Sequence, residues 1–184
     1  MLLLEAVNLI LRALGEHPVT TVDTRHPTVQ LALSELDARR RIILLHGYWF
    51  NHWRCTLSPD ISRYIYIPTG TLSFQADESN RFIILGNKLY DTLNDTDVIT
   101  DSVSGTRSID VAFEDMPVQA RVVVANQAAI KAYGVDIGLD SNAQMYQAEA
   151  QEALDLLNAE HSRQRNFSSR QRLSWRKYER TLWG

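Results

Sequence analysis

Ile42-Ile43-Leu44-Leu45-His46-Gly47-Tyr48-Trp49-Phe50-Asn51-His52-Trp53-Arg54-Cys55-Thr56-Leu57-Ser58-Pro59-Asp60 is the stretch on which the reading of this chain turns. It opens as the end of an apolar-periodic helix. Gly47 stops that helix, because glycine alone enters the left-handed conformation of a helix C-terminus without steric penalty. Tyr48, Trp49, Phe50 and Trp53 then follow almost without interruption. Each can bury a large area, so their concentration marks a core hinge or a contact surface. Pro59-Asp60 closes the segment as a turn. Gly47, Tyr48, Trp49, Phe50 and Asn51 are therefore read as a structural hinge between a helical part and a β part.

Upstream, Leu3, Val7, Ile10, Leu11 and Leu14 recur at helical spacing and predict a helix over 2–14, stopped by Gly15 and Pro18. A second helix is predicted from Pro27 to about His46, with Val29, Ala32, Leu33, Leu36, Ile43 and Leu44 on one face. Arg39, Arg40 and Arg41 interrupt it. Three consecutive arginines point three ways around a helix, so they read as a solvated face with one member pairing to Glu35 or Asp37. A subunit contact or channel wall is the other reading.

Downstream the texture changes. The runs Arg63 to Pro68, Arg81 to Leu85, Lys88 to Asp91, Val98 to Thr100 and Ser108 to Phe113 are short and β-like. Gly86-Asn87 is a hairpin signal, and Ser104-Gly105 reads as a turn. These runs predict a small, mostly antiparallel sheet of about four to six strands. The acidic stretch Asp91 to Asp101 reads as a solvated, mobile turn. A third helix starts at Met116-Pro117, packs through Val118, Val122, Ala125, Ala129 and Ala132, and ends at Tyr133-Gly134. A fourth runs to about Arg165. The predicted fold is mainly α with a small β lobe, an α+β chain. A four-helix bundle carries a mostly antiparallel sheet inserted between its second and third helices. The corresponding segments are 1–52 for the first two helices, 53–115 for the β lobe, 116–167 for the last two helices and 168–184 for a C-terminal tail.

The 184 residues carry a net charge of −3, unevenly placed. Residues 161–184 hold seven basic side chains against Glu179, a net of +6, which leaves −9 on the other 160 residues. An acidic body with a basic tail predicts that the tail meets a different partner. In that tail Trp175, Tyr178 and Trp183 alternate with Arg170, Arg172, Arg176, Lys177 and Arg180, the pattern of a segment that binds nucleic acid or a protein groove.

Signals for chemistry are weak. His17, His26, His46, His52 and His161 include no pair one helical turn apart, so no metal helix is predicted. Asp91, Asn94, Asp95, Asp97 and Asp101 do not fall in the register of a calcium loop, which also needs a mid-loop glycine and a terminal glutamate. There is no nucleophile elbow and no phosphate loop, and Cys55, the single cysteine, reads as a small buried thiol. No cofactor is predicted. The N-terminus lacks the basic start of a signal peptide, and no run is long enough to span a membrane; a soluble, uncleaved protein is expected.

Several motifs together resemble one family. Ala6-Val7-Asn8-Leu9-Ile10-Leu11 and Gly15-Glu16-His17-Pro18-Val19 are similar to the opening of tail tubular protein A, the tail adaptor or gatekeeper of short-tailed bacteriophages. Gly47-Tyr48-Trp49-Phe50-Asn51 resembles the family's G-W-x-F-N motif, with Tyr48 where a tryptophan is usual. Leu57-Ser58-Pro59-Asp60, Leu89-Tyr90-Asp91 and Glu114-Asp115-Met116-Pro117 resemble its later motifs in the same order, and Glu149, Glu152 and Ala153 its acidic last helix. The resemblance covers about residues 5–165 and leaves the basic tail unmatched.

The resemblance implies a structural, non-enzymatic role in the virion, with assembly in the host cytoplasm. It implies a homo-oligomeric ring of twelve copies beneath the portal protein, with the tail nozzle (tail tubular protein B) below and DNA passing through the lumen. On that reading Arg170, Arg172, Trp175, Arg176, Lys177, Tyr178, Arg180 and Trp183 are the expected portal interface. Asp91, Asn94, Asp95, Asp97 and Asp101 are the expected nozzle-facing loop, with the β lobe over 68–80 and 91–106 as the wider contact. Two other classes stay open from the residues alone: a carbohydrate hydrolase using paired carboxylates, and a DNA-binding module using the tail.

Overall fold

A computed structural model describes residues 1–22, 25–78, 81–136 and 141–169. Its contacts divide the chain into two compact units, Met1–Ala32 with Pro117–Gly184, and Leu33–Met116. The described elements run, in chain order, α1 (Leu3–Ala13), α2 (Pro27–Leu45), β1 (His52–Leu57), β2 (Thr71–Ala76), β3 (Phe82–Leu85), β4 (Lys88–Asp91), β5 (Val103–Ile109), a 3-10 turn (Phe113–Asp115), α3 (Val118–Asp136) and α4 (Ser141–Ser169). This is the α+β fold with four helices and a small antiparallel β component that the sequence predicts.

The first unit is organised around α3, which packs against both α1 and α4. α1 buries Ala6, Val7, Ile10, Leu11 and Ala13. Its end follows from backbone chemistry. Gly15 sits at φ +76°, its N–H donates to the Arg12 carbonyl at 3.1 Å, and the Glu16 N–H donates to the Leu11 carbonyl at 2.9 Å. Two otherwise orphaned carbonyls are thereby satisfied. Asn8 then holds the outgoing chain: its amide donates to the Val19 carbonyl at 2.9 Å and accepts the Val19 N–H at 2.8 Å.

α3 departs from the single packing face that its periodicity suggests. Val118 is 52% exposed and Val122 is half-buried, whereas Ala120, Val123, Val124, Ala125, Ala128, Ala129, Ala132 and Tyr133 are all buried. A helix with neighbours on two sides is apolar most of the way round, and its alanines let those neighbours approach closely. Gly134, expected to end this helix, lies inside it, and α4 continues past Arg165 to Ser169. α4 is the opposite case. It buries Ala143, Ala150, Ala153 and Leu157, a narrow seam with the spacing of a coiled-coil contact, flanked by half-buried Tyr146 and Leu154.

In the second unit β1, β5 and β2 form one antiparallel sheet with β5 central, and β3 and β4 form a separate antiparallel hairpin. Gly86 turns that hairpin at φ +65°, as the Gly86-Asn87 signal predicts. The Tyr64 to Ile67 segment adds only isolated bridges, Tyr64 to Val98 and Tyr66 to Lys88, rather than a full strand. Leu57, Ile65, Phe74, Ala76, Leu89, Ile99 and Val103 form the core.

Two readings are corrected here. Ser104-Gly105 is not a turn but lies within β5, where Gly105 pairs with Cys55 on one side and Ala76 on the other. A Cβ on Gly105 would lie 2.3 Å from the Gln75 carbonyl oxygen and 2.8 Å from the Phe74 ring, so glycine marks close approach of strands rather than reversal of the chain. Thr71–Ala76, not among the runs read as β-like, is the strand β2.

Candidate assembly surfaces

The hinge Gly47–Asn51 is built by one buried amide. Asn51 is fully enclosed; its Oδ1 accepts the Tyr48 N–H at 2.9 Å, and its Nδ2 donates to the carbonyls of Leu44 at 2.8 Å and Ile109 at 3.2 Å. The Ile109 N–H returns to the Asn51 carbonyl at 2.9 Å. One side chain thus closes the C-terminus of α2, fixes the turn after it and ties both to the end of β5. Gly47 is required twice over, by its φ of +72° and because a Cβ there would lie 2.8 Å from the His52 ring. Tyr48 and Phe50 stack with centroids 5.9 Å apart, Trp49 packs edge-on against Phe50 at 5.3 Å, and burial pushes the Tyr48 hydroxyl pKa up. Tyr48 is buried, Trp49 and Phe50 are half-buried and Trp53 is 46% exposed.

Of the three arginines, Arg40 is the buried one. It donates to Asp37 at 2.6 Å, to the Val111 carbonyl at 2.6 Å and to Asp110, while Arg41 reaches Asp37 at 3.0 Å. The Arg40 hydrogen bond holds the Asp37 carboxyl below its ordinary range.

The acidic turn is more ordered than a solvated run of carboxylates. Asp91 is buried, with Oδ2 accepting from Arg81 Nη2 at 2.9 Å and from the Asn94 amide at 2.8 Å, and Oδ1 accepting the backbone N–H groups of Leu93 and Asn94 at 3.0 and 3.2 Å. Arg81 beside it, with those further donors, pushes its pKa down to about 2. Asp95 stands at φ +52° and accepts the Tyr90 hydroxyl at 2.5 Å; Asp97 accepts from Lys88 at 3.2 Å. Asp91 therefore organises the turn from inside, while Asp95 and Asp101 reach solvent. A cleft of about 410 Å³ beside the turn is lined by Asp77, Glu78, Arg81, Asp91, Asn94 and Asp101 among others. Its carboxylates are largely committed to arginines: Asp77 to Arg54 at 2.6 Å, Glu78 and Asp91 to Arg81. A general acid needs a carboxyl whose pKa is raised, and Asp91 is displaced the other way.

No group of three or more His, Cys, Asp or Glu fit to hold a metal ion occurs among the described residues. His46 packs edge-on against Tyr48 at 6.3 Å and His52 Nδ1 lies 3.0 Å from Ser108 Oγ, so both hinge histidines serve packing. Cys55 is half-buried on β1. No described helix is long and apolar enough to cross a membrane. The tail residues Arg170, Arg172, Trp175, Arg176, Lys177, Tyr178, Arg180 and Trp183 lie outside the described residues.

One surface escapes the sequence reading. Along the β3–β4 hairpin and the segments beside it, side chains alternate between the core and the outside, and both sets are apolar. Ile65, Leu89 and Ile99 are buried in the core, with Ile84 packed against it. The alternate residues Tyr66 (47%), Ile83 (45%), Leu85 (60%) and Val98 (42%) are exposed. The signal was available in Tyr64-Ile65-Tyr66-Ile67 and Phe82-Ile83-Ile84-Leu85, which are continuous apolar runs where a half-exposed strand would alternate with polar residues.

A family model described as Tail tubular protein matches residues 4–167, spanning described elements of both units. A protein described as Tail tubular protein A, from Klebsiella phage KP34, is 33% identical over 167 residues, which is 90% of each chain. The family-model match ends at residue 167, before Arg170. This chain belongs to the tail tubular protein family and is a structural component of a bacteriophage tail.

Proposed function

We propose that the chain is the tail adaptor: a subunit of a twelve-membered ring that joins the portal protein to the tail nozzle, lines the DNA channel and helps retain the packaged genome. The observation that carries this reading is the family match over 4–167, which takes in α1 to α4 and the β unit in one continuous alignment. Charge supports it. Outside residues 161–184 the chain is net −9, and a like-charged wall keeps passing DNA from adhering. The basic segment, with Arg170, Arg172, Trp175, Arg176, Lys177, Tyr178, Arg180 and Trp183, is then the portal contact. The β unit, over 68–80 and 91–106 and including Asn94, Asp95, Asp97 and Asp101, faces the nozzle.

Co-sedimentation with the purified portal ring of the same phage, with bound copies counted by mass, tests the reading. About one adaptor per portal subunit is expected, and truncation after Ser169 should weaken that binding and steepen no other defect. Absence of binding to an intact portal would overturn it.

A further inference from the structure

We propose that neighbouring copies in the ring meet helix to helix. The exposed face of α2, formed by Leu31, Ser34, Ala38, Ile42 and Leu45, packs against the exposed face of α4 on the next copy, formed by Met145, Ala148, Glu152, Leu156 and Ala159. This inference rests on the adaptor reading and names the surfaces through which its subunits join.

Three observations carry it. The first is alignment. All ten residues are exposed, and both sets follow the spacing i, i+3, i+7, i+11, i+14. That spacing keeps a set within about 80° of one side of a helix and runs about 21 Å along it. Each helix already buries a different side: α2 through Val29, Ala32, Leu36, Ile43 and Leu44, and α4 through Ala143, Ala150, Ala153 and Leu157. A lone exposed leucine is ordinary, but Leu31, Ile42 and Leu45 on one line, and Met145 and Leu156 on another, are not. Among the described residues of the other two helices, only Val118, the first residue of α3, is an exposed large hydrophobic. The second observation is symmetry. A face that pairs with its own copy stops at a dimer, so a larger ring needs two different faces on each chain that fit one another. The α2 and α4 stripes match in length and spacing. Ser34 and Ala38, mid-stripe on α2, allow close approach of the second helix.

The third is charge. Glu149, Glu152 and Asp155 are exposed on or beside the α4 stripe, and Glu149 and Glu152 have no ion pair among the described residues. Two copies of this face would repel each other. α2 carries the cation that fits. Arg40 and Arg41 are committed to Asp37 and Asp110, whereas Arg39 has no ion pair among the described residues and its Nε is buried without a hydrogen-bond partner. Laid antiparallel with Ala38 level with Glu152, the stripes bring Arg39 within one turn of Glu149 on the same side. Glu35, the uncommitted acid on that side of α2, then meets Glu160, whose charge Arg163 offsets at 3.1 Å. The chain's own segment after Ser169 is a poorer occupant. Its 15 residues wound back as a helix would span about 22 Å, whereas Glu149 and Met145 lie about 30 and 36 Å along α4 from Ser169.

The test uses two full-length single-cysteine proteins, both with Cys55→Ser, one carrying Ala38→Cys and the other Ala148→Cys. Each is assembled on portal rings of the same phage, alone and mixed one to one, and treated with a short bis-maleimide. A cross-linked dimer is expected in the mixture, with none from either protein alone, and an excess of synthetic 170–184 peptide should not diminish it. Ile42→Lys with Leu45→Lys, and separately Leu156→Lys, should each raise the protein concentration needed to fill the portal at least about tenfold. Their urea midpoints should match wild type, since all three side chains are exposed. A dimer from either cysteine protein alone would mean that like faces meet, and would overturn the proposal. So would a mixture that fills the portal without cross-linking, or lysine variants that fill it as wild type does. Loss of the dimer to the peptide would assign the α4 face to the chain's own tail and would also overturn it. A portal that takes no wild-type copies would instead count against the adaptor reading, and the mixture cross-linked free at high concentration then decides the helix pairing by itself.

Discussion

Asn51 and Asp91 do the same structural job with different chemistry. Each is a buried polar side chain at one end of an irregular segment, Asn51 just before β1 and Asp91 at the end of β4. Each closes a turn by accepting backbone N–H through one oxygen, that of Tyr48 for Asn51 and those of Leu93 and Asn94 for Asp91. Asn51 is neutral, and its remaining partners are the carbonyls of Leu44 and Ile109. Asp91 is charged, and its remaining partners are the Arg81 guanidinium and the Asn94 amide. A neutral amide can hold two distant backbone segments deep in a core with no counter-ion. A carboxylate can be buried only where a cation follows it in, so its turn stays close to the surface and inherits a dependence on pH.

The largest effect should come from removing the amide. Asn51→Ala takes the acceptor from the Tyr48 N–H and a donor from the Leu44 and Ile109 carbonyls, Leu44 keeping the Gly47 N–H at 3.1 Å. With roughly 1–3 kcal/mol for each buried group left unsatisfied and some relaxation, a loss of about 3 kcal/mol is expected. Trp49 and Trp53, the described tryptophans, lie in the second unit, so urea unfolding followed by their fluorescence reads this loss directly. A loss under about 1 kcal/mol would mean that the aromatic stack, not the amide, holds the hinge. Gly47→Ala should come next, at about 2 kcal/mol, from the left-handed backbone and the approach to His52. Its cost should largely vanish in the Asn51→Ala background if the two act as one device.

Asp91→Asn should destabilise less than either, because the amide can still accept the Leu93 and Asn94 N–H groups, and Arg81, about a third exposed, can return to water. Its signature is pH. The folded pKa of Asp91 is about 2 against an ordinary 3.8. The unfolded chain therefore binds the proton first as pH falls. The stabilisation is fully present above about pH 5 and is lost progressively as pH drops through 3.8 towards 2. The gap in urea midpoint between wild type and Asp91→Asn should accordingly narrow between pH 5 and pH 2.5, whereas the gap for Asn51→Ala should hold. A constant Asp91→Asn gap would show that the Arg81 pairing contributes nothing to stability.

The two segments were not equally legible. Gly47 followed by clustered aromatics is a local signal, since a helix stop and a mass of apolar surface both sit in adjacent residues, and α2 does end there, at Leu45. Asp91 to Asp101 carries the composition of a solvated turn, and nothing local says that Asp91 points inward, because its partner Arg81 arrives from the far side of a hairpin. Gly105 failed for the same reason: a glycine after a serine reads as a turn until Gln75, thirty positions back, is seen to lie against it. Element types followed from periodicity. What periodicity cannot carry is the identity of the strand across the way, and with it whether an apolar run such as Phe82–Leu85 is covered on one face or two.

The smallest effect tests how the acidic turn closes. Asp95 stands in the left-handed region at φ +52°, where a non-glycine residue is strained, and its carboxylate is tied to the Tyr90 hydroxyl. Asp95→Gly relieves the backbone and removes the tie, two changes of opposite sign and each below about 1 kcal/mol. The net change in urea midpoint should be near zero, while Asp95→Ala, which loses the tie and keeps the strain, should be the less stable of the two. Equal stability of the glycine and alanine variants would mean that the turn carries no backbone strain, and that Asp91 alone determines its shape.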